Sequence, residues 1–213
     1  MTARVWLAEF IGTFALLFAG IAAIAAGAGS LATAAAVGLS VTVMIAAVGP
    51  ISFAHFNPAV TVGFLMLGRI NFREPLLYWS AELSGAIAAI LALQLFLGSK
   101  RLAAAGYGAT SLAPGISLIQ GIAIEVTLTF FLMFVIASCV LQERTHPEIY
   151  IGLTVALGSV AGGAFTGASM NPARSFAPAL LANLWTDHWL YWLAPILGAL
   201  LAAAAASYLW RSN

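Results

Sequence analysis

The triplet Asn-Pro-Ala occurs twice, at Asn57-Pro58-Ala59 and Asn171-Pro172-Ala173, in a chain that is otherwise almost continuously apolar. Each triplet opens a short apolar run, residues 60–67 and 175–182. Neither run can cross a bilayer, which takes roughly 20 residues. Proline suits the first position of a helix, where its missing N–H would have no partner anyway. Asparagine just before it is a good N-cap. Each triplet therefore predicts the start of a half-helix. Two half-helices at matching places in the two halves of a membrane protein point to a pathway at the bilayer midplane.

Composition sets the surroundings. Of 213 residues, 62% are hydrophobic and 7% charged, against about 25% charged in soluble domains. The chain reads as a multi-pass membrane protein. A net charge of +1 gives no footprint for nucleic acid. The single cysteine, Cys139, excludes an internal disulfide and a Cys-cluster metal site. The first apolar stretch is too long for a signal peptide and reads as a retained span. Candidate spans are 3–27, 31–48, 75–97, 116–141, 149–162 and 189–210, the fifth short and Gly-rich. The stretch 102–115 reads as the one long connection, joining two halves at about 1–101 and 115–213 of a single channel domain.

The halves repeat. Gly38-Leu39-Ser40-Val41 and Gly152-Leu153-Thr154-Val155 are offset by 114, as are the two triplets. Tyr78-Trp79 with Gly85-Ala86 and Tyr191-Trp192 with Gly198-Ala199 are offset by 113, and Glu9 and Glu125 by 116. Three spans per half is an odd number, so the second half enters the membrane from the other side. The expected fold is an all-α membrane protein of six transmembrane helices and two re-entrant half-helices in an inverted repeat. Lys and Arg in the loops give the orientation. With both termini cytoplasmic, Arg4, Arg69, Arg73, Arg144 and Arg211 lie inside, while Lys100 and Arg101 lie outside.

Chemistry follows from the meeting of the half-helices. Hydrocarbon does not satisfy bare backbone groups, so the non-helical approaches, 50–56 and 161–170, should line a wet cavity. Their carbonyls offer acceptors, and Asn57 and Asn171 offer amide N–H groups. Both half-helix N-termini aim positive dipole ends at one point. A neutral solute that donates and accepts fits there, while a cation or migrating proton is repelled. Intramembrane Arg174 is costly and by default functional. No cofactor or metal is expected, and no nucleophile box suggests an enzyme.

The residues Ala8-Glu9-Phe10-Ile11-Gly12-Thr13-Phe14, His55-Phe56-Asn57-Pro58-Ala59-Val60-Thr61 and Gly167-Ala168-Ser169-Met170-Asn171-Pro172-Ala173-Arg174-Ser175-Phe176 make the chain resemble the aquaporin, or major intrinsic protein, family over its whole length. That resemblance implies a right-handed bundle, one pore per subunit, a homotetramer, and a passive channel for water and small uncharged solutes. Carried over by motif position, its filter falls on Val37, Ser159, Ala168 and Arg174. It makes Glu9, Glu125 and His55 braces for the loops. Strict water channels of the family resemble Phe, His, a small residue and Arg at the filter, so Val37 and Ser159 imply a wider opening. That opening favours glycerol or metalloid hydroxides such as arsenous acid alongside water. Yet Ser175, Ala179, Tyr191 and Trp192 match the family's water-channel signature, and a water-selective channel is the alternative. Glu82 stands where the family usually has Gln. A secondary transporter would need a coupling-ion site, with only Glu9, Glu82 and Glu125 as candidates. Short loops suggest a prokaryotic plasma membrane.

Overall fold

The computed structural model describes residues 2–210; Arg211 lies outside them. All regular structure among them is helical. Six helices are long and apolar enough to span a membrane: α1 (Ala3–Ala25), α2 (Ser30–Ser52), α4 (Pro75–Leu97), α6 (Leu118–Leu141), α7 (Pro147–Thr166) and α9 (Leu190–Trp210). The half-helices are α3 (Pro58–Met66) and α8 (Pro172–Ala182), each with its proline at the first turn and its asparagine as N-cap. Asn57 Oδ1 accepts from Ala59 N at 2.9 Å, and Asn171 Oδ1 from Ala173 N at 2.9 Å.

Three expectations change. Helix α2 runs on through Pro50 to Ser52, because a proline near a helix end removes only one backbone bond. Helix α7 is a full span of 20 residues rather than a short one. The non-helical approaches therefore shrink to 53–56 and 167–170. The connection between the halves is also structured, with a short helix α5 (Ser99–Ala104) and a 3-10 turn, Gly106–Gly108.

Close helix crossings carry the repeat. A Cβ on Gly38 would sit 2.6 Å from the carbonyl oxygen of Gly152, and one on Gly152 would sit 2.6 Å from that of Gly38. The pair lets α2 and α7 touch backbone to backbone. Gly85 likewise abuts the Phe10 carbonyl, and Gly198 the Val126 carbonyl, too close for any side chain. These contacts seat α4 on α1 and α9 on α6. Half-helix α3 packs on α9 as well as α4, and α8 packs on α4. Each half-helix thereby locks into the opposite repeat.

Candidate functional site

A cavity of about 940 Å³ runs through the bundle. Its wall extends from Gly27 and Ser30 at one face to Pro147 and Glu148 at the other. The two half-helices begin beside it, and Asn57 and Asn171 both line it. Their side chains are shared between two tasks. While Oδ1 caps its own helix, Asn57 Nδ2 donates to Met170 O at 2.7 Å, and Asn171 Nδ2 donates to Phe56 O at 2.8 Å. Each approach loop is thus tied to the other's cap, and each Nδ2 keeps a second N–H.

The approach loops expose backbone by left-handed turns. Ala54 and Phe56 have φ of 53° and 51°, and Ala168 and Met170 have 44° and 52°. Non-glycine residues avoid this region, so something must hold them. Glu9 does so for the first loop, accepting from His55 N at 3.0 Å and Phe56 N at 2.7 Å. Glu125 does so for the second, accepting from Ser169 N and Met170 N at 2.8 Å each and from Thr166 Oγ1 at 2.6 Å. Tyr78 OH donates to Ser52 O at 3.0 Å and Tyr191 OH to Thr166 O at 2.9 Å, fixing the two helix ends that feed the loops. His55 Nδ1 meets Thr61 Oγ1 at 2.9 Å, with its ring between Phe64 and Tyr78.

Val37, Ser159, Ala168 and Arg174 all line the cavity. Arg174 Nη1 donates to the Gly108 carbonyl at 2.6 Å, which aims the guanidinium from the side of the 3-10 turn. This partner is absent from the sequence reading, because a carbonyl can come from any residue. Ser159 Oγ donates to Val155 O at 2.8 Å, so its hydroxyl proton is spent and it offers the cavity lone pairs. Of the four, Arg174 alone is bulky. The signature residues Ser175, Ala179, Tyr191 and Trp192 stand outside the cavity wall. Ser175 takes a bond from Thr110 at 2.7 Å, and Trp192 Nε1 donates to His188 Nε2 at 3.1 Å. Cys139 is buried and is among the residues that line the cavity.

A family model described as "Major intrinsic protein" matches residues 1–206. The chain belongs to the major intrinsic protein family. Relatives include Aquaporin TIP4-2 of Zea mays, 42% identical over 99% of this chain and 86% of that one. Aquaporin TIP4-1 of Arabidopsis thaliana is 40% identical over 92% and 82%. The X-ray structure of the aquaglyceroporin from Plasmodium falciparum matches with a TM-score of 0.84 and 26% identity, covering 94% of this chain and 93% of that one. The family is one of channels, not enzymes, and the chain is a multi-pass membrane protein.

One titration is expected at the face where α9 begins. Burial pushes His188 below the usual histidine range, and its Nε2 must be unprotonated to accept from Trp192. A depressed pKa means the unfolded chain takes the proton first. The stabilisation is whole above about pH 6.5 and fades as pH falls below it. Thermal melts should therefore drop between pH 7.5 and 5, with a smaller drop in His188→Gln. Equal drops in both proteins would count against this assignment.

Proposed function

We propose that the chain is a passive channel for water and small uncharged solutes that excludes protons and ions. The observation that carries this reading is the meeting of two helix N-termini on one cavity, with Asn57 and Asn171 each keeping an N–H beside it. Both dipoles present positive ends there, and Arg174 adds a full charge. Loop carbonyls and Ser159 supply acceptors. Of the three candidate carboxylates, Glu9 and Glu125 spend their oxygens on loop N–H groups and Glu82 is not among the residues lining the cavity, which favours a channel over a secondary transporter.

In this reading, Val37, Ser159, Ala168 and Arg174 form the selectivity filter, and Asn57-Pro58-Ala59 with Asn171-Pro172-Ala173 the central constriction. Glu9, Glu125 and His55 brace the loops. Residues 1–213 act as one channel domain of two repeats. The small filter side chains favour passage of glycerol or metalloid hydroxides in addition to water. A water-selective channel is the second reading, favoured by Ser175, Ala179, Tyr191 and Trp192. The assembly is a homotetramer in a plasma membrane, with both termini cytoplasmic; Arg4, Arg69, Arg73 and Arg144 lie at one face and Lys100 and Arg101 at the other, as loop charge bias requires.

Stopped-flow light scattering on proteoliposomes, with water, glycerol, urea and arsenous acid in parallel, tests the reading. Water flux without proton conductance supports it, and a proton current comparable to the water flux overturns it. Arg174→Val removes the one fixed cation at the filter. A unit charge about 4 Å away at an effective dielectric near 20 is worth roughly 4 kcal/mol. Even heavily screened, its loss should raise proton or cation leak at least about tenfold.

A further inference from the structure

The two approach loops begin differently. Helix α2 ends on Phe53 and α7 on Gly167, residues offset by 114. Both take the left-handed conformation, at φ 65° and 80°, and both N–H groups close their helices alike, donating to Gly49 O and Gly163 O. Glycine is the residue that such a helix end favours, and a side chain there goes against local preference. At Gly167 a side chain is also crowded out: an added Cβ would sit 3.1 Å from both Cα and Cγ2 of Thr110. In the first repeat the corresponding position carries a phenyl ring.

That ring gains little burial in return for its backbone. Phe53 is 57% exposed, while Phe56 and Phe64 are buried. It leans on Phe64, with ring centroids 5.8 Å apart, and it belongs to the cavity wall. Its place along the cavity follows from α2. That helix starts at Ser30, on one mouth, and its 23 residues rise about 35 Å. Phe53 therefore stands toward the opposite mouth, where Pro147 and Glu148 line the wall. Leu132, Ile136 and Val140 near the end of α6 and Ile151 near the start of α7 make the wall there apolar. The first mouth is built of small residues, among them Gly27, Ser30 and Ala105.

We propose that Phe53 is a further specificity-determining residue, an apolar lip at the mouth of Pro147 and Glu148 that slows solutes larger than water, in series with the filter. The proposal rests on the channel reading. A solute inside the pore exchanges its water for donors and acceptors on the wall. The phenyl ring offers neither. A solute with several hydroxyls must therefore carry water past it, which takes width, or leave polar groups unpaired, which costs free energy. Water is small enough to keep its partners.

The cavity reaches Glu148 past the ring, so the lip slows solutes and does not shut them out. Removing the ring should leave the fold intact. Glycine suits the left-handed backbone better than phenylalanine does, and the exposed ring has little packing to lose.

The test is the ratio of glycerol to water permeability in proteoliposomes of wild type, Phe53→Gly and Phe53→Ala. Both variants are expected to raise the ratio at least about threefold while water flux changes less than about twofold, since only the larger solute needs the width. Phe53→Ala keeps the test open if the glycine variant does not fold. Phe53→Cys in a Cys139→Ser background should react with a charged, water-soluble methanethiosulfonate, because the residue lines the aqueous path. A wild type that passes water and variants with an unchanged ratio would overturn the lip and leave the channel reading standing. A wild type without water flux fails the channel reading and takes the lip with it. A cysteine at position 53 that stays unlabelled overturns the lip whatever the protein conducts.

Discussion

Glu125→Ala is expected to cost the protein most of its stability and its water flux. The carboxylate accepts from two backbone N–H groups and one hydroxyl, all buried. Alanine leaves Ser169 N and Met170 N without partners in a loop whose φ angles are already unfavourable. Each orphaned donor costs about 1–3 kcal/mol, so the loss from the two should be on the order of 2–6 kcal/mol. Native proteins have roughly 5–15 kcal/mol to lose. The displaced loop would also carry Arg174 and Asn171 away from the cavity. The measurements are the melting temperature in detergent and osmotic permeability per protein, with a fall of at least about tenfold in the latter expected from so large a local destabilisation. Glu125→Gln, which keeps one acceptor, should fall between. A Glu125→Ala protein that melts and conducts like wild type would remove the brace from the account.

The parallel brace, Glu9, shows what the sequence made legible. The offsets near 114 carried the two Asn-Pro-Ala starts, the glutamates and the glycine crossings. Each of these needs one residue type at one place: an N-cap, a carboxylate, or no side chain. The pairing of Gly38 with Gly152 across α2 and α7 was visible as repetition before it was visible as contact. What stayed hidden depends on backbone. The left-handed turns at Ala54, Phe56, Ala168 and Met170 go against local preference and exist because distant carboxylates impose them. The Gly108 carbonyl that aims Arg174 leaves no mark on residue identity. The exchange of amide bonds between Asn57 and Met170, and between Asn171 and Phe56, needs both halves folded together. The approach expected at 50–56 is partly helical, because Pro50 sits so near the end of α2 that few backbone bonds remain for it to remove.

Two sequence indicators disagree about solute size, and they differ in where their residues stand. Ser175, Ala179, Tyr191 and Trp192 lie outside the cavity wall, whereas Val37, Ser159, Ala168 and Arg174 line it. Pore selectivity follows lining diameter and the donors and acceptors along it, so the filter should decide solute size. Val37 and Ala168 are apolar and small. Ser159 offers only acceptor lone pairs, since its proton goes to Val155 O, and Arg174 offers donors. A polyol or a metalloid hydroxide passing this point finds donors on one side and an acceptor on another. A polar group left unpaired costs about 1–3 kcal/mol, and this arrangement lowers that penalty for solutes with several hydroxyls. The wild-type protein is expected to conduct glycerol or arsenous acid as well as water. Val37→Phe with Ser159→His puts two rings into the wall. That double variant should cut the larger solutes at least about tenfold while water changes by less than about threefold, because only the larger solutes need the lost width. Val37 packs closely on α1, where a Cβ on Gly20 would sit 2.8 Å from Val37 Cγ2, so a ring at this position has little room on that side. If the unmodified protein passes water but excludes glycerol, urea and arsenous acid alike, then width at these four residues does not set selectivity, and residues behind the wall do.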